Sequence, residues 1–78
     1  MIIQASQLRA ARALVGLSQK DVAERSGMSV PTVKRMEGSV GAVRGGHAAV
    51  AAVVAVLESA GVAFTNGGEP GVKLRKQP

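Results

Sequence analysis

The chain has 78 residues, a net charge of +5, one histidine, five acids and no cysteine. Disulfides and thiolate metal sites are excluded, and one histidine with five acids leaves little for metal binding or acid–base chemistry. A single aromatic, Phe64, argues against single-strand recognition by base stacking.

The length suits one small domain, whose core supplies little net stability. Extra burial through dimerisation is therefore expected. Residues 1–46 hold seven Lys/Arg against three acids, and a basic domain attracts polyanions, DNA above all. MIIQASQLRAAR lacks the apolar stretch of a secretion signal. The run AAVAAVVAVL falls short of the roughly 20 apolar residues that span a bilayer. The expectation is a cytoplasmic, nucleoid-associated protein with no membrane partner.

Ser6 is in place to cap a first helix over about residues 7–15, stopped by Gly16. Ser18 caps a second from Gln19 to about Ser26, with Asp21 three residues on completing a capping box. Gly27 then supplies a left-handed stop. A third helix starts at Ser29 or Val30 and ends before Gly38. Pro31 fits its first turn, where an N–H is not needed.

The second and third helices, joined by a tight turn, need a small residue where they cross, and Ala23 supplies it. Val22, Val33 and Met36 face inward. The opposite side of the third helix carries Val30, Pro31, Lys34 and Arg35, a surface that fits a DNA major groove. Lys34 is suited to a phosphate or to solvent, and Arg35 to a guanine edge. Ser29 serves as cap, as phosphate donor or as both, and Thr32 either caps its own helix turn or contacts DNA. Arg9, Lys20 and Arg25 read as a diffuse positive field.

Residues 38–46, GSVGAVRGG, form a glycine-rich connection. A fourth helix over 47–60 begins at His47 and shows Val50, Val53, Val54 and Leu57 as its main stripe. The tail changes to period two. Val62 and Phe64, then Val72 and Leu74, alternate with other residues around NGGEPG, the pattern of a hairpin. Lys73, Arg75 and Lys76 make the end basic.

Gly16-Leu17-Ser18-Gln19, Val22-Ala23, Gly27-Met28-Ser29, Thr32-Val33 and Glu37-Gly38 together resemble the Xre/Cro-like helix-turn-helix family of small phage repressors and bacterial regulators. The resemblance covers about residues 7–60. It implies a mainly α, four- to five-helix repressor-like domain, here with a short C-terminal β-hairpin where the family has a final helix. Residues 1–61 would form the DNA-binding part, and residues 62–78 the hairpin and basic tail.

By resemblance, Gln19 bonds a DNA phosphate. Ser29, Val30, Pro31, Thr32 and Arg35 meet phosphates and base edges, and Arg44 lies along the backbone. Arg12 and Glu37 form a buried ion pair. Val30 and Pro31 depart from the polar residues common at their positions, which shifts specificity toward Arg35, thymine methyls and DNA shape. The implied function is transcription regulation by a homodimer on double-stranded DNA, without cofactor or enzymatic activity. The rival is a protein-interaction module, an antitoxin or anti-activator, covering a partner such as a toxin, an activator or polymerase. Either the fourth helix or the hairpin can build the dimer. The hairpin is preferred, because a two-stranded ribbon alone is weak.

Overall fold

A computed structural model describes residues 3–66 and 68–75. Four helices precede one hairpin: α1 (Ala5–Val15), α2 (Gln19–Ser26), α3 (Val30–Glu37), α4 (His47–Ser59), β1 (Val62–Thr65) and β2 (Gly71–Leu74). The fold is mainly α, and among the described residues there is no fifth helix. Met1, Ile2 and Lys76, which the sequence reading assigned to the domain's ends, lie outside the described residues.

Helix α1 starts earlier than Ser6 would allow. Its N-cap position is Gln4, and Ser6 sits exposed inside the first turn. Two interactions move the boundary. The Gln4 N–H donates to Gln7 Oε1 at 2.7 Å, and the Ala5 N–H donates to the Gly41 carbonyl at 2.8 Å. A helix start satisfied by its own glutamine and by a neighbouring loop needs no serine.

Local chemistry sets the other helix ends. Ser18 Oγ accepts from the Asp21 N–H at 3.0 Å, and Asp21 Oδ2 accepts from the Ser18 N–H at 2.9 Å. These bonds hold the Asp21 carboxyl below its ordinary value of 3.8, first through the Ser18 backbone N–H and then through its hydroxyl. Gly16 and Gly27 take φ of 69° and 75°, a conformation that costs a side chain but not glycine. Gly38, by contrast, closes α3 in the right-handed region.

The core lies where all four helices and β1 meet. Leu8, Val22, Val33, Met36, Val53, Leu57 and Val62 are fully buried. Ala23, also buried, stands in α2, which packs on α3. A larger side chain there would force the two helices apart. Val50 and Val54 pack against this core at its edge.

The hairpin pairs antiparallel in the register Val62–Leu74, Ala63–Lys73, Phe64–Val72 and Thr65–Gly71. Val62 is buried and Phe64 and Val72 are half-buried, but Leu74 is 53% exposed, so the apolar face runs out at its end. One side chain of α1 fastens the hairpin. The buried Gln7 amide donates from Nε2 to the carbonyls of Thr65 and Gly71, each at 2.9 Å. Its oxygen simultaneously accepts from Gln4. One glutamine thus caps a helix and ties it to both strands.

Candidate nucleic-acid interface

The α2–turn–α3 unit is built by the residues just described. Ser29 caps α3, its Oγ accepting from the Thr32 N–H at 3.2 Å. The two hydroxyls of Ser29 and Thr32 share a further bond of 2.8 Å. Pro31 occupies the first turn at no cost in hydrogen bonding. On the inner side Val33, Met36 and Glu37 are buried. On the outer side Pro31, Lys34 and Arg35 are exposed. The two cations stand in the last turn, where the negative end of the helix favours them.

The remaining candidates divide. Ser29 is exposed and Thr32 is half-buried at the start of α3. Val30 is only partly exposed and packs against the core, so the outer surface is narrower than its sequence spacing suggests. Arg44 is exposed in the loop after α3 and shares a shallow depression of about 410 Å³ with Arg35, Gly38, Ser39 and Val40. Gln19 is half-buried, and its Nε2 donates to Glu37 Oε1 at 3.2 Å.

Glu37 is the hub behind this surface. Arg12 donates from Nε to Oε2 at 2.6 Å and from Nη2 to Oε1 at 2.9 Å, a bidentate pair that holds Glu37 in place. Arg12 Nη1 also reaches the Leu17 carbonyl at 3.1 Å. The bond from Glu37 raises the Arg12 guanidinium above its usual value, outweighing partial burial. Arg9, exposed and still carrying its charge, has a structural contact besides: its Nη1 donates to the Glu37 carbonyl at the end of α3. Two arginines of α1 thus grip the last residue of α3 by side chain and by main chain.

Sequence reasoning missed Gln7, the Arg9 contact and the Gln19–Glu37 bond. The only signal the sequence held for Gln7 was its spacing three residues after Gln4, that of a capping box. The other two depend on contacts between helices that spacing does not reveal.

Among the described residues no helix is long and apolar enough to cross a membrane, and no group of three or more His, Asp or Glu residues is placed to hold a metal ion. A family model described as a helix-turn-helix domain matches residues 5–62, from the start of α1 to the first residue of β1. No curated protein matches the chain. With the capped α2–turn–α3 unit and the matched span together, the chain belongs to the helix-turn-helix domain family, which is associated with Xre/Cro-like bacterial regulators, and has the architecture of a DNA-binding regulatory protein.

Proposed function

We propose that this protein is a sequence-specific, duplex-DNA-binding transcriptional regulator of the cytoplasm and nucleoid, working as a homodimer with α3 in the major groove. The supporting observation is the split of α3, with Val33, Met36 and Glu37 turned into the core and Pro31, Lys34 and Arg35 left bare. Arg35 reads a base edge. Gln19, Ser29, Thr32, Lys34 and Arg44 serve phosphates, while Val30 and Pro31 lend apolar contact. Gln19 carries two amide hydrogens, so the bond to Glu37 leaves one for a phosphate. Two subunits would read half-sites roughly 34 Å apart. The hairpin is the preferred dimer surface, with exposed Leu74 as its apolar contact.

The test is binding to duplexes selected from a random library, at several salt concentrations. Arg35→Ala weakens the preferred site about 10- to 100-fold and relaxes base preference at one position. Gln19→Ala weakens all duplexes evenly. A wild-type chain that ignores duplexes at low salt, or an Arg35→Ala variant with unchanged affinity, refutes the assignment.

One observation favours a protein-covering role beside this one. A groove of about 470 Å³ runs between the end of α2 and α4, lined by Ala52, Ala55, Val56 and Ala60 with Arg25 at its rim. A mass measurement of the chain mixed with a candidate toxin, activator or polymerase, run in parallel with the duplex titration, separates the two roles.

A further inference from the structure

Val40 is 99% exposed, far more than Leu14 at 41% or Leu74 at 53%. A bare β-branched side chain gains by being covered, and Val40 stands on a loop tied down by hydrogen bonds on both sides. The Ala5 N–H donates to the Gly41 carbonyl at 2.8 Å, and the Val43 N–H donates to the Ile3 carbonyl at 2.9 Å. An isolated antiparallel bridge joins Gln4 to Ala42. Ser39 Oγ donates to the Arg35 carbonyl at 3.1 Å and accepts from the Arg44 N–H at 3.3 Å. These bonds tie the loop to the α1 end, to the α3 end and to itself, and none covers Val40.

The neighbours say what covers it. Val40 lines one depression with Arg35 and Arg44, and no acid lines that depression. Among the described residues the one ion pair is Arg12–Glu37, so both guanidiniums are available to an anion. An apolar side chain sharing a depression with two unpaired cations matches a surface that sets a methyl group beside phosphates. In duplex DNA that group is the C5-methyl of thymine, on the major-groove wall next to its own backbone.

Resting on the duplex-binding reading, we propose that Val40 is a specificity-determining residue that seats against a thymine methyl, between the base edge met by Arg35 and the phosphate met by Arg44. The hydrogen bonds on either side of Val40 reduce the conformational freedom the contact would cost. Its two methyl groups are worth roughly fourfold in affinity for each methylene-sized contact buried.

The experiment uses the full chain and the best duplex selected with it. Each thymine is replaced in turn by uracil, which removes only the methyl, and wild type is compared with Val40→Ala. One uracil weakens wild type about three- to fivefold and leaves Val40→Ala unchanged, because the contact is already gone. The salt dependence of Val40→Ala stays that of wild type, whereas Arg44→Ala loses about one unit of slope. Three results overturn the proposal while duplex binding stands: no effect of Val40→Ala, an even loss on every duplex with no uracil effect (a sugar contact), or a shift from dimer to monomer in solution that makes Val40 a dimer contact. A wild type that binds no duplex overturns the proposal together with the reading beneath it. Val40 buries almost nothing within the subunit, so the variant's thermal unfolding should match wild type and serves as the folding control.

Discussion

Replacing Gln7 by alanine removes one side chain and breaks three hydrogen bonds. Gln7 is 2% exposed, and its amide serves the Gln4 N–H at 2.7 Å and the Thr65 and Gly71 carbonyls at 2.9 Å each. At about 1 kcal/mol net for each bond, the loss is about 3 kcal/mol. A domain of this size has only about 4–12 kcal/mol in total. With a urea slope of about 1 kcal/mol/M, the midpoint falls by about 3 M. Urea unfolding followed by far-UV circular dichroism reads this directly.

A companion variant, Gln7→Glu, keeps the acceptor for Gln4 but turns a carboxylate toward two carbonyl oxygens. At neutral pH it is less stable than Gln7→Ala. Burial and the facing oxygens raise the new carboxyl in the folded state, so the penalty is present above the unfolded value of about 4.3. It shrinks once the pH falls below the raised folded value, where the protonated group donates again. A loss under about 1 kcal/mol for Gln7→Ala, or a Gln7→Glu penalty that does not ease in acid, refutes the claim that this amide fastens the hairpin.

Arg12→Ala strands the Glu37 carboxylate, whose side chain is 5% exposed, and should cost about 2–3 kcal/mol, less than a fully buried pair because Arg12 itself is 23% exposed. Arg12→Met with Glu37→Leu should recover all but about 1 kcal/mol in the same urea assay; a double variant as unstable as the single one would mean the charge is not the cause. Asp21, held below its ordinary value of 3.8 by Ser18, stabilises the fold above that value, and the contribution is lost as pH falls through the lower folded value. Asp21→Asn should therefore flatten the acid limb of a stability-versus-pH curve, and an unchanged limb would remove Asp21 from the account.

Features resting on neighbours in sequence were readable in advance. The Ser18–Asp21 box, the left-handed Gly27 and the early Pro31 each depend on chemistry within four residues, and the structure places all three accordingly. The inward set Val22, Val33 and Met36 follows from helical spacing. Ser6 misled because the cap was decided elsewhere, by Gln7 and by a loop whose Gly41 carbonyl accepts from the Ala5 N–H. The partners of Gln7 lie 58 and 64 positions downstream, beyond any local pattern. Around the candidate interface, the bareness of Lys34 and Arg35 was visible in the periodicity, and the resemblance pointed to Arg12 beside Glu37. The orientation of Gln19 toward Glu37 and the seating of Val30 against the core were not, since both depend on how closely α2 and α3 approach.

The double grip of Arg9 and Arg12 on Glu37 makes α1 and α3 a single lever arm. To tilt, α3 would have to release a main-chain carbonyl and a buried carboxylate together. On the duplex-binding reading, adjustment of the interface then falls to the DNA, and a duplex that resists deformation should bind less well.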